Sequence, residues 1–313
     1  MKPAAGAAPV QDAAGAVDSA AGTALRTRPN YAHTPRGAVH YVDAGCGEPL
    51  ILLHATPGTH RAFRQLLPLL APYFRCIAFD TPGYGNSDPV PGTASIEGMA
   101  QSVLALLDAL ELPHAHLLGL HTGNKIAAAL AAAAPERVGR VVLAGQTHSL
   151  IVDAPARDAA IRHLIDHYYP GFEVAPGDGL AQLRLWLMAQ ADVASLWWPA
   201  RLTRGAVVTP QDVEIAEAMV VDHLLGRRSI VPTYDAIFAY DLEAALRRMS
   251  APTLLLELHA ADEQDYEPQA PKIAAFMKAA QAVVLDDLDA GAFRRQPQRI
   301  ADAVLPFLKG DAR

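Results

Sequence analysis

The sequence predicts an α/β protein with a mainly parallel open sheet, flanking helices and a helical cap insertion. Short, continuously apolar runs recur along the chain, as expected of strands covered on both faces. They alternate with segments of helical spacing, which implies βαβ crossovers. The alternation stops between about 150 and 240 and then resumes, the pattern of one sheet interrupted by an insertion.

The elements follow in order. "AVHYVDAG" alternates as a strand and "GCG" turns it into "PLILLH", a buried strand. "RAFRQLLPLLAPY" has helical spacing, and "RCIAFD" is another short strand. "SIEGMAQSVLALLDALEL" reads as an amphipathic helix with Ser95 as its cap. "HAHLLGL", "NKIAAALAAAAPERV" and "GRVVLAGQ" read as strand, helix and strand. After the insertion come the strand "APTLLLEL", the helix "PKIAAFMKAAQ", the strand "AVVLDDL" and a last helix, "PQRIADAVLPFL".

Residues 1–30 are rich in Ala and Gly and broken by Pro, Asp and Gln, which predicts a disordered tail. That segment lacks the continuous apolar stretch of a secretory signal. The expected division is a tail at 1–30, a core at 31–149 and 241–310, and a cap at 150–240. The cap holds many large rings, among them Tyr168, Trp186, Trp197, Trp198 and Tyr234.

With 313 residues and 51% hydrophobic residues, the chain is long enough to bury a large core. Its formal charge of −7, without any Lys/Arg cluster, argues against nucleic acid or an anionic membrane as partner. Two cysteines, Cys46 and Cys76, imply no disulfide framework. The expectation is a cytoplasmic protein with a small-molecule substrate, no nucleic-acid or membrane partner and no cofactor; a homo-oligomer is compatible.

Reactive groups of an open parallel sheet gather beyond the carboxyl ends of its strands. Four segments fall there: "LLHATPG", "FDTPGYGNSD", "GLHTG" and "DAGAF". Together, from about residue 36 to 308, the chain resembles the α/β-hydrolase superfamily. The H-G-x-P loop corresponds to His54-Ala55-Thr56-Pro57, and D-x-x-G-x-G-x-S to Asp80 through Ser87. The nucleophile elbow G-x-S-x-G corresponds to Gly119-Leu120-His121-Thr122-Gly123.

Two departures stand out. His121 takes the place of the nucleophile, and Ala292 that of the catalytic histidine. The resemblance leaves Asp262 as the acid, with Glu263 and Asp265 as rivals. It implies an oxyanion hole from the backbone N–H groups of Thr56 and Thr122.

A serine hydroxyl needs a base before it attacks, whereas a neutral imidazole does not. The positive end of the helix beginning at Thr122 should hold His121 uncharged. His121 is thus the candidate nucleophile or general base of a hydrolase-like enzyme. Its expected substrate is a small apolar carbonyl compound, cleaved at an ester, amide or C–C bond. His54, His148, Trp197 and Phe293 are the candidate substrate contacts.

Two other readings stay open: a catalytically silent ligand-binding protein, and a lyase or His-ligated metalloenzyme. For the metal, His54, His121, His148 and His259 all fall near strand ends with Asp80 and Asp262. No H-x-H or H-E-x-x-H spacing ties two of them together, and the sequence assigns no metal.

Overall fold

The computed structural model describes residues 27–145, 159, 162–163, 209–259, 268–288 and 291–310. Its strands are β1 (Arg28–Thr34), β2 (Gly37–Ala44), β3 (Glu48–Leu53), β4 (Phe74–Phe79), β5 (Ala115–Leu120), β6 (Val138–Ala144), β7 (Thr253–His259) and β8 (Ala280–Asp286). They form one eight-stranded sheet in the order β1-β2-β4-β3-β5-β6-β7-β8. β1 and β2 pair antiparallel, as do β2 and β4, and every other pairing is parallel.

The helices are α1 (Leu67–Leu70), α2 (Ile96–Ala109), α3 (Thr122–Ala133), α4 (Pro210–Gly226), α5 (Ile230–Ala239), α6 (Leu242–Arg248), α7 (Ala270–Ala274), α8 (Ala292–Arg295) and α9 (Pro297–Lys309). Strands β3 to β7 are apolar on both faces because each face carries a core layer. Ile51, Leu53, Leu117 and Leu143 face α2, α3 and α6; Leu50, Leu52, Leu118 and Leu254 face α1, α8 and α9. Ser95 caps α2 as expected, its Oγ accepting from the Gly98 N–H at 3.0 Å.

Three elements differ from the sequence expectation. β1 begins at Arg28, so Arg28–Asn30 belong to the sheet and not to a tail. The helix expected across "RAFRQLLPLLAPY" is a 3₁₀ turn at His60–Phe63 and the single turn α1. Pro68 and Pro72 lack the N–H that a continuous helix needs and restrict the residues before them. The helix expected from residue 271 ends at Ala274, because Ala280 and Gln281 are already paired with Thr253 and Leu254.

Of the insertion, α4 and α5 are the helices described in full, and α5 lies over the loop that follows β3. Tyr234 donates its hydroxyl proton to the Thr56 carbonyl at 3.2 Å. No helix among the described residues is long and apolar enough to cross a membrane.

Candidate active site

The centre of the sheet ends at residue 120, and the chain turns at once into α3. His121 sits at the apex with φ 49° and ψ −104°, as the residue that caps α3. The two flanking glycines allow the bend to close. A Cβ on Gly119 would strike the Gly123 carbonyl, and a Cβ on Gly123 the Leu53 carbonyl. Holding a non-glycine residue in such a conformation costs on the order of 1–3 kcal/mol. The His121 N–H donates to the Ala144 carbonyl at 3.0 Å and its own carbonyl accepts from the Asn124 N–H at 2.9 Å.

The His121 ring lies against Gly145, the first residue after β6. A Cβ there would fall 3.2 Å from three ring atoms, so glycine makes room for the imidazole. His121 Nε2 is shut off from solvent and has no hydrogen-bond partner. Burial, with a smaller contribution from the charge of Lys125, pushes the imidazole pKa down to about 4. The ring is therefore neutral at pH 7. A buried nitrogen left unbonded costs about 1–3 kcal/mol.

Thr122 begins α3, where a backbone N–H has no acceptor within its own helix. The Thr56 N–H donates to Thr122 Oγ1 at 3.2 Å. Both expected oxyanion donors are therefore side by side, one of them already engaged by the other's hydroxyl. The Thr56–Pro57 peptide bond is cis.

His54 directs no nitrogen at the space above His121. Nδ1 donates to the Ala55 carbonyl at 2.8 Å and Nε2 accepts from the Thr81 N–H at 3.0 Å. These bonds fix one neutral tautomer, and burial depresses the ring's affinity for a proton. Phe293 is fully buried, its ring edge-on to Phe63 at a centroid distance of 6.0 Å, which is a core position. Ala292 beside it is also buried, at 1% exposure. Trp197, His148 and Asp262, with Glu263 and Asp265, lie outside the described residues.

Asp80 follows β4 and is wholly buried. One carboxylate oxygen takes His40 Nδ1 at 2.7 Å and the Asn86 N–H at 3.3 Å. The other takes His60 Nδ1 at 2.9 Å and the His60 N–H at 2.7 Å. Burial alone would raise the Asp80 pKa, but the hydrogen bonds from His40 and His60 prevail and hold it well below the usual carboxylate range. Among the described residues these three are the group whose ligating atoms come within metal-binding range of one another. A metal would displace bonds that already occupy all four carboxylate positions, so the arrangement fits a rigid loop anchor. His54 and His121 are not in this group, and His259 is bonded to Asp286 at 3.2 Å.

Sequence reasoning missed a second buried cluster. Asp222 of α4 is 1% exposed and accepts from Thr59 Oγ1 at 2.8 Å, Arg61 Nη1 at 2.9 Å and Arg294 Nη2 at 3.5 Å. It joins the insertion to the loop after β3 and to α8, the segment carrying Ala292. Its partners stand 163, 161 and 72 residues away in sequence, so no local pattern announces it.

The comparisons agree with this architecture. A family model described as "alpha/beta hydrolase fold" matches residues 48–183. A 2-hydroxy-6-oxononadienedioate/2-hydroxy-6-oxononatrienedioate hydrolase of Paraburkholderia xenovorans (strain LB400) is 40% identical over 113 residues. That match spans 34% of this chain and 39% of the relative's length. A hydrolase structure from Pseudomonas aeruginosa PA01 superimposes with a TM-score of 0.66 at 26% identity, covering 90% of this chain and 98% of the other. The enol-lactonase from Burkholderia xenovorans LB400 shares the fold with a TM-score of 0.63 at 22% identity, covering 90% and 100%. A parallel sheet with a bent strand-to-helix junction at its centre, the family model and these structures together give the chain the α/β-hydrolase fold.

Proposed function

We propose that this protein is a hydrolase-type enzyme that cleaves a small, apolar carbonyl compound, with His121 where the superfamily has its nucleophile. The observation that carries the reading is a neutral imidazole on a strained bend, with one nitrogen buried and unbonded. The relatives named as 2-hydroxy-6-oxononadienedioate hydrolases favour C–C bond hydrolysis over ester or amide cleavage.

As nucleophile, a ring nitrogen attacks the acyl carbon and the bond to the leaving group breaks. The leaving group takes a proton from water, the hydroxide so formed takes the N–H proton of the acyl-imidazolium, and a second water cleaves the neutral acyl-imidazole to an acid and the free ring. As general base, the ring would take the proton of the attacking water and return it to the leaving group. A pKa of about 4 lowers the ring's basicity and its nucleophilicity together, and both routes start from the neutral ring. The Thr122 N–H stabilises the oxyanion, joined by Thr56 when its N–H exchanges Thr122 Oγ1 for that oxygen. In this reading Asp262 is the family acid, and His148 and Trp197 are the candidate substrate contacts.

The test is turnover of esters, amides and a 2-hydroxy-6-oxodienoate by the wild type and by His121→Ala. The enzyme reading expects turnover that the substitution abolishes while binding persists. Equal turnover in both proteins would remove His121 from the chemistry. A second reading, a ligand-binding protein without turnover, is favoured by Nε2 being shut off from solvent, and absence of turnover in both proteins would support it.

A further inference from the structure

Two guanidinium groups meet on one carboxylate at the junction of core and insertion. Asp222 balances one positive charge, yet both Arg61 and Arg294 bond to it. Among the described residues, no second carboxylate pairs with either arginine, and neither guanidinium has a further partner. Among the described residues a surplus cation is thus held at this junction, with side-chain exposures of 34% for Arg61 and 13% for Arg294.

Arg294 is the less satisfied of the two. The single hydrogen bond of its guanidinium is the 3.5 Å contact to Asp222, whereas Asp222 makes shorter bonds to Thr59 and Arg61. None of its nitrogens is both shut off from solvent and unbonded, so the free N–H groups open onto accessible space. A guanidinium presents its five donors in a planar fork that matches a carboxylate. A charge removed from water and only partly paired is costly, and an anion that completes the pairing is correspondingly favoured.

The position is informative. Arg294 is two residues past Ala292, where the superfamily's relay histidine would stand. Thr59 and Arg61 belong to the same loop as Thr56.

We propose that Arg294 and Arg61 form an anion subsite that takes a carboxylate of the substrate, with Asp222 holding the two guanidiniums when that carboxylate is absent. This rests on the enzymatic reading for the word substrate, and it refines the substrate class to a carbonyl compound carrying a carboxylate. The anion site itself depends on neither turnover nor His121.

The test uses the full chain and benzoate, with neutral benzamide as its isostere, by titration calorimetry at low salt. Benzoate is expected to bind the wild type and His121→Ala alike, and benzamide to bind neither. Arg294→Gln should weaken benzoate by about tenfold or more, the loss of one charge-assisted pair. Arg294→Lys, which keeps the charge and loses the fork, should fall between. Asp222→Asn removes the internal competitor and should tighten benzoate.

A purely structural ion cluster would give the opposite sign for Asp222→Asn, since breaking the cluster would disorder both arginines. Benzoate binding no better than benzamide, or equal in wild type and Arg294→Gln, would overturn the proposal. If Asp222→Asn does not fold, the ordering of the Arg294 variants decides the matter. Benzoate binding to a protein without turnover would keep the subsite and discard the enzymatic reading.

Discussion

Acidification from pH 7.5 to 5 should destabilise this protein in a way that a single substitution at His121 reduces. The imidazole has a pKa of about 4 in the fold, against about 6.5 for an unfolded histidine. Between those values the unfolded chain takes up a proton that the folded chain refuses. The stability this group contributes is complete above about pH 6.5 and is lost as pH falls toward about 4. At pH 5 the loss relative to pH 7.5 is about 2 kcal/mol. His223, likewise pushed down to about 4, chiefly by burial, adds a similar loss. The assay is urea unfolding at both pH values, followed by tryptophan fluorescence. His121→Asn removes the titrating group while keeping a residue that tolerates positive φ. Its stability should fall with acid by about 2 kcal/mol less than that of the wild type. An unchanged pH dependence in His121→Asn would refute the idea that the fold holds this ring neutral.

Other outcomes follow from the same geometry. Gly123→Ala should prevent the elbow from closing and cost about 3 kcal/mol or more, since the added methyl meets the backbone carbonyl of Leu53; a urea midpoint equal to wild type would contradict this. Asp80→Asn should cost about 3–5 kcal/mol by leaving His40, His60 and two backbone N–H groups with a poor acceptor, read as a fall in thermal midpoint. His121→Ser alone should yield no esterase, because no base stands at 292, whereas His121→Ser with Ala292→His should regain p-nitrophenyl ester hydrolysis; activity in the single variant would mean that the base lies elsewhere.

The sheet was legible because strands buried on both faces, such as "PLILLH" and "RCIAFD", are continuously apolar and alternate with helical spacing. β1 was not, since an edge strand with most of its side chains exposed looks like a polar linker. The continuous helix across 61–73 failed on two prolines that the apolar spacing concealed. His121 was legible because the glycines around it, each demanded by a close backbone contact, make a recognisable five-residue motif. The engagement of the Thr56 N–H by Thr122 Oγ1 was not, because a hydroxyl's choice of partner across 66 residues leaves no trace in spacing. The same holds for Asp222, one of four carboxylates in a seventeen-residue helix, whose partners come together only when the insertion meets the core. Local motifs report the bend of a strand; charge clusters built from three distant segments need coordinates.

The uncharged state of the His121 ring at the bend is tested most directly by a pH titration of that imidazole by ¹⁵N NMR. The ring assigned by its disappearance in His121→Asn should keep the shifts of a neutral tautomer down to a midpoint of about 4. A midpoint at or above about 6.5, the value of a solvated histidine, would contradict it.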